Sequence, residues 1–570
     1  MRSDRLTDLK DIEKNYVPIS TDSSSGGPVI YSENGKNYID RSESHIMVLG
    51  NTGMGKTQCC SLPFVRNSVI ANESFIVIDP KGEIYDKTSC FAEKSHQVLC
   101  VDFRKPRKSP VCWNPLKLIT EMYLSDDKDE QDQASSFLDD FAESIQEYDK
   151  DDQFWSSASA ELLKGMVYSL LELCNNKEEI NMTSVCTLLQ DFNEKIGVNT
   201  YAKELAKSLP DDSLAKRHLL TFVNAPNDTR NSIYAVCSNS LKIFSQSKGL
   251  MSMICHDDLD IYNLDLNNKP LAVYIILPDE TNAYDSLAAV LISQLTTHFI
   301  TLAQTKYNGK LPSRLNVILE EIGSLGGALT NLPNLLTAGR SRNIRLMLLL
   351  QSTSQLEDVY GKSKADTINS CIGITIGFST NSWSTLKEWE DRLGSRSVEQ
   401  LNGTFALEPV ITASQLAAMP RFTALIMIGA RHKYITSFSP YDEMYDNSEW
   451  KPPAKREIED GRENIERFSL VDYIKHVKER ERKKLFGNHN PFESKEEDKT
   501  DDDSSIEDDD LNVFLKNCQT KQISLVGYAF VRRHSRQEVR RDCYEQRSKR
   551  HKNSYKGSFA DKCRKAYGFL

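Results

Sequence analysis

Residues Gly50-Asn51-Thr52-Gly53-Met54-Gly55-Lys56-Thr57 match the pattern G-x-x-x-x-G-K-[ST] letter for letter. The chemistry of that spacing is phosphate binding. Glycines let the backbone wrap a phosphate chain so that successive N–H groups point at its oxygens, and a helix N-terminus adds a favourable partial charge. Lys56 would neutralise the β- and γ-phosphates, and Thr57 would offer its hydroxyl to Mg2+. An ATP–Mg2+ site of this type needs further acids to hold the metal through water and to orient the attacking water. The apolar run Leu315–Leu319 ends in Glu320-Glu321. Glu320 is assigned to the magnesium shell and Glu321 to the general base, although two acids at a strand end also suit a solvated turn. Gln351 follows the apolar run Ile344–Leu350, where a polar side chain at a strand tip could sense the γ-phosphate. Arg340 and Arg342 lie between these segments. A guanidinium fork suits phosphate oxygens, so either could be an arginine finger, in trans if the protein forms rings. Either could equally cap a helix.

These residues need elements to hold them. The loop follows a buried-type strand, His45–Leu49, and precedes a helix expected to run through about Ser68. Apolar runs recur at Ser74–Ile78, ending in Asp79-Pro80, and at Gln97–Val101, ending in Asp102. Strand–loop–helix–strand repetition argues an α/β fold with a parallel, helix-covered sheet. From Leu116 to Leu264 the texture changes. Phe154, Trp155, Ala158, Leu162, Leu163, Met166, Leu170 and Leu171 recur at three- and four-residue steps, the pattern of one buried helix face. This predicts an inserted all-helical domain of about 150 residues, an ordinary domain size. The sheet pattern resumes at Leu271–Leu277, followed by a helix over Ser286–Gln304. Further strands are expected at Leu315–Leu319, Ile344–Leu350, Cys371–Ile376 and Ala424–Ile428, the last clear one. Their apolar continuity predicts strands covered on both faces. The expected division is an N-terminal segment 1–44, a phosphate-loop domain 45–115 and 265–445, a helical insertion 116–264, and a charged C-terminal extension 446–570, disordered around 490–512.

Composition bounds the rest. The 570 residues, 39 % hydrophobic and 27 % charged, suit three or four globular units with some disordered polar sequence. No apolar run approaches the ~20 residues of a membrane-spanning helix, and the N-terminus lacks a signal peptide's apolar stretch. A cytoplasmic chain is expected. The thirteen cysteines form no C-x-x-C pair and the ten histidines no H-E-x-x-H, so reduced thiols are expected and a metal site built by the protein alone is not. The net charge of −10 sums opposite segments. Glu493–Asp510 holds eleven acids and two lysines, whereas Val531–Leu570 holds thirteen Lys/Arg and four Asp/Glu. The acidic run cannot bury a core. The basic one, with interleaved Tyr and Phe, suits contact with nucleic acid or an anionic surface, or a solvated tail.

The run from Glu320 to Gly361, EEIGSLGGALTNLPNLLTAGRSRNIRLMLLLQSTSQLEDVYG, resembles the nucleotide-binding core of type IV coupling proteins, the ATPases of conjugation and type IV secretion. Ile78-Asp79-Pro80-Lys81-Gly82-Glu83, Trp113-Asn114-Pro115-Leu116, Phe154-Trp155, Asp391-Arg392-Leu393-Gly394 and Leu416–Pro420 agree in order, so the resemblance spans roughly residues 40–440. It implies a RecA-like motor domain whose helical insertion helps to choose cargo. It also implies a homo-hexamer passing DNA through a central channel, with a relaxase or other secreted protein and type IV secretion channel components as partners. ATP would sit between subunits on Lys56 and Thr57, with Arg340 or Arg342 from the neighbour and Gln351 as the sensing glutamine. Two departures stand out: Glu320 occupies the usual Asp position, and the polar residues before Gly50 leave no room for the family's paired N-terminal membrane helices. Recruitment to the membrane's inner face by a partner is the expectation. Two other readings compete: a weakly hydrolysing nucleotide-binding adaptor for secretion cargo, and a soluble DNA-remodelling ATPase.

Overall fold

The computed structural model describes residues 6–18, 26–33, 36–146, 153–245, 247–267, 269–323, 329–399, 405–453 and 462–486. The acidic run Glu493–Asp510 and the basic end Val531–Leu570 lie outside the described residues. Nine strands form the central sheet: β1 (His45–Leu49), β2 (Ser74–Asp79), β3 (Gln97–Asp102), β4 (Leu271–Ile276), β5 (Leu315–Leu319), β6 (Ile344–Leu350), β7 (Ile372–Phe378), β8 (Thr423–Ile428) and β9 (His432–Ser437). Their spatial order is β9-β8-β7-β1-β6-β5-β2-β4-β3. Every pair from β7 to β3 is parallel, and β8 and β9 close one edge antiparallel.

The expected two-sided burial is present. Ile46, Val48, Val77, Ile318 and Leu349 face one apolar cluster, which includes Phe64 and Tyr434. Met47, Leu49, Ile76, Val317 and Leu348 face the other, which includes Trp113 and Trp389. Side chains alternate across a pleated strand, so a continuous apolar run supplies both cores. The 21-residue helix Asp285–Thr305 is long and apolar enough to cross a bilayer by length and composition, yet most of it is buried in the protein. Its apolarity serves the second core.

Several boundaries differ from expectation. β4 ends at Ile276, and β7 starts after Cys371, the last residue of the helix Lys362–Cys371. β9 escaped the sequence pattern because an edge strand buries only alternate residues; HKYITS buries Tyr434 and Thr436. A small antiparallel sheet of Val17–Pro18, Val29–Glu33 and Lys36–Ile39 docks beside it, the Tyr434 hydroxyl donating to the Ile30 carbonyl at 3.1 Å.

Between β3 and β4 lie eight α-helices among the described residues, from Lys117–Tyr123 to Lys248–Ile254, with one two-residue ribbon. On the helix Gln153–Leu173, Ala158, Leu162, Leu163, Met166, Leu170 and Leu171 are buried, whereas Phe154 is 61 % exposed. Residues 462–486 return to these helices. Arg462 donates to the Ser109 carbonyl and pairs with Asp258, each at 2.8 Å, and Leu470 and Ile474 are buried.

Candidate active site

Everything placed at the C-terminal ends of parallel strands faces one crevice, and the deepest point is where strand order reverses. β1 is that point: β7 flanks it on one side and β6 on the other. The loop Gly50–Thr57 leaves the tip of β1. The Gly50 amide donates to the Leu350 carbonyl at 3.2 Å and the Asn51 amide to the Ser379 carbonyl at 3.0 Å, pinning the loop between both neighbours. Gly50 (φ +154°) has no space for a side chain, since a Cβ there would lie 2.6 Å from that of Phe378. Gly53 and Gly55 also adopt positive φ, so the backbone curls into a concave turn that aims amides inward.

Lys56 folds back over this turn. Its Nζ donates to the Gly50 and Asn51 carbonyls at 2.5 and 3.2 Å. Burial lowers its pKa, against the pull of Glu320 and Glu321. Thr57 opens a five-residue wide turn, Thr57–Ser61, that runs into the helix Leu62–Ile70. This turn places Ser61 one turn beyond Thr57, and the Ser61 hydroxyl donates to Glu320 Oε1 at 2.6 Å.

Glu320 and Asp79 are neighbours because Leu319 pairs with Ile78 in the β5–β2 register. Glu320 is buried and its carboxyl is pushed up to about 7, first by burial and then by the charges of Asp79 and Glu321, against the Ser61 and Thr57 hydroxyls. Asp79 is pushed up to about 6 by burial, although the Gly82 and Tyr85 amides donate to it at 2.9 and 2.8 Å. Glu321 holds φ +53°, a conformation that costs a non-glycine residue of order 1–3 kcal/mol and concentrates at functional sites. Asp285 begins the helix after β4; it is 8 % exposed, and its Oδ2 has no partner among the described residues. Burial, then the Glu321 charge, lifts it to about 7.

Gln351, at the tip of β6, has an exposed side chain, and its carbonyl accepts from the Thr380 hydroxyl at 3.1 Å. Arg340 and Arg342 stand elsewhere. They precede β6, so one strand length separates them from the loop of their own chain, about 20 Å at ~3.3 Å per residue. Arg342 Nη1 donates to the Ala338 carbonyl and the Ser341 hydroxyl at 3.0 and 3.2 Å, whereas Arg340 is exposed. Sequence reasoning passed over Ser61 and Asp285. The four-residue step from Thr57 was the available signal for the first; nothing local marked the second.

The residues fit a magnesium nucleotide: a curled glycine turn, a lysine folded onto carbonyls, and a carboxyl buried beside two hydroxyls. This constellation on a twisted parallel sheet defines a P-loop nucleoside triphosphatase of RecA-like fold. The chain belongs to the type IV secretory system conjugative DNA transfer family, whose profile matches residues 6–406, and is a type IV coupling protein. The fold is similar to that of the bacterial conjugative coupling protein TrwBdeltaN70, unbound, with a TM-score of 0.56 at 18 % identity over 77 % of this chain and 93 % of that one. It is also similar to plasmid coupling protein TrwB in complex with ADP and Mg2+, with a TM-score of 0.58 at 19 % identity over 80 % and 95 %. The complex of TrwB with a non-hydrolysable ATP analogue gives 0.55 at 18 % over 80 % and 96 %. No curated protein matches the chain.

Proposed function

We propose that the protein hydrolyses ATP to move DNA, coupling a relaxase–DNA or protein substrate to a type IV secretion channel. The observation that carries this reading is the burial of Glu320 between Thr57, Ser61 and Asp79 at the foot of the glycine turn. The Gly50–Thr57 amides and Lys56 would hold the phosphates, and Thr57 with Glu320 would hold Mg2+. Bound magnesium supplies positive charge that offsets the charge developing on the phosphates. It also favours the ionised form of Glu320, which burial alone disfavours. Glu321, held at positive φ beside Glu320, takes the proton of the attacking water. Gln351 reports the γ-phosphate to β6.

The placement of Arg340 supports assembly as a homo-hexameric ring, because one strand length keeps it from the loop of its own chain. An exposed guanidinium at the opposite end of β6 suits a neighbour's site. Residues 45–115 and 265–445 form the motor, and the helices of 116–264 select cargo. The elevated pKa of Glu320 favours a second reading, a nucleotide-binding adaptor that turns over slowly. ATP turnover with and without single- or double-stranded DNA separates them. DNA-stimulated turnover that Lys56→Ala abolishes supports the motor; background turnover with DNA, unchanged by Lys56→Ala, contradicts it.

A further inference from the structure

An extended triphosphate in the loop has a direction. Its γ end faces the acids at the tip of β5, on one side of β1. Its base end therefore leaves on the other side, toward the tips of β7 and β8. Residues 420–422 lie there, just before β8. The Phe422 amide donates to the Met54 carbonyl of the loop at 3.1 Å, and the Phe422 carbonyl accepts from the Phe438 amide at 2.8 Å. The Phe422 ring closes over the loop so tightly that a Cβ on Gly55 would lie 2.5 Å from its Cδ1. Phe422 is held at φ +64°, a rare conformation for an aromatic residue. The guanidinium of Arg421 lies over that ring, 4.5 Å from its centre. Arg421 is exposed, and its charge is felt at Cys59, two residues beyond Thr57.

We propose that Arg421, backed by the Phe422 ring, stacks on the base of the bound nucleotide. This inference rests on the nucleotide-site reading above. The guanidinium centre lies over the phenyl ring and Arg421 is exposed, so a second planar group can stack on its outer side. A stacked cation reads a π-face rather than donors and acceptors, so the pair grips adenine and guanine alike. Strain at Phe422 is the cost of setting the ring against Gly55 while keeping Arg421 outward.

The test is calorimetric titration of the full chain with ADP and with inorganic pyrophosphate, which carries phosphates and no base. Arg421→Ala is expected to weaken ADP about tenfold, the equivalent of about 1.4 kcal/mol, and to leave pyrophosphate unchanged. Arg421→Lys keeps the charge but loses the plane, and is expected to behave like Arg421→Ala. Phe422→Gly tolerates the positive φ and is expected to weaken ADP selectively as well. Equal losses for ADP and pyrophosphate, ADP affinity unchanged in Arg421→Ala, or full recovery with Arg421→Lys each overturn the stacking. A wild-type chain that binds neither ligand overturns the site itself; one that binds both, with no variant effect, overturns this inference alone.

Discussion

Glu320 is a carboxyl out of water, and its cost has a sign. Its folded pKa of about 7 and that of Asp79, about 6, both stand above the ordinary carboxylate range. The folded chain therefore binds more protons than the unfolded one between about pH 4 and 7. The stability each group contributes is complete below the unfolded pKa and is lost as pH rises through the folded value. The melting temperature of the nucleotide-free protein should accordingly fall from about pH 4 to 7, and Glu320→Gln should flatten part of that fall. Thermal melts across pH check this; identical slopes in wild type and variant would contradict the burial argument. The residue types here were legible before any coordinates, because G-x-x-x-x-G-K-T and a Glu-Glu strand end carry their chemistry in their spacing. Asp285 was not, since only the fold brings the start of its helix near Glu321, 36 residues further along the chain.

At the scale of elements, the opposite end of the sheet explains a third arginine, three residues beyond the candidate finger Arg342. Arg345, in the GRSRNIR run, is 1 % exposed. Its Nε donates to Asn316 Oδ1 at 3.0 Å, Nη1 to the Ser42 carbonyl at 3.1 Å, and Nη2 to the Gly26 carbonyl at 3.1 Å, with Glu73 as counter-charge at 3.5 Å. Burial lowers its pKa to about 10. It ties β5, β6 and the N-terminal segment into one end of the sheet. Removing one partner of a buried pair leaves the other uncompensated and costs about 3–5 kcal/mol. Arg345→Ala should lose that much in denaturant unfolding, whereas Arg340→Ala, at an exposed site, should lose almost none. Equal losses would mean that Arg345 is not the tie. Apolar runs disclosed eight of the nine strands because strands buried on both faces need no alternation. β9 and the return of residues 462–486 onto the helices stayed hidden: the first mixes polar and apolar residues, and the second depends on isolated anchors, Phe468, Leu470 and Ile474, in charged sequence.

For the whole molecule, the proposed ring would make catalysis a property of neighbours, because one strand length separates Arg340 from its own phosphate loop. Two inactive variants then complement each other. A Lys56→Ala chain keeps Arg340, and an Arg340→Ala chain keeps Lys56, so a mixed assembly contains some interfaces with both. Mixing should restore part of the turnover that each lacks alone, measured as phosphate release at fixed total protein. No recovery, or full activity of Arg340→Ala alone, would argue for a site completed within one chain. The opposite charges of 493–510 and 531–570 were plain in the sequence, and both segments lie outside the described residues.

Movement of DNA by hydrolysis is read most directly by displacement of a third strand from a triplex-bearing duplex. The wild-type chain should displace the third strand with ATP and Mg2+, fail with a non-hydrolysable analogue, and fail as Lys56→Ala. No displacement despite ATP turnover, or equal displacement without hydrolysis, would contradict it.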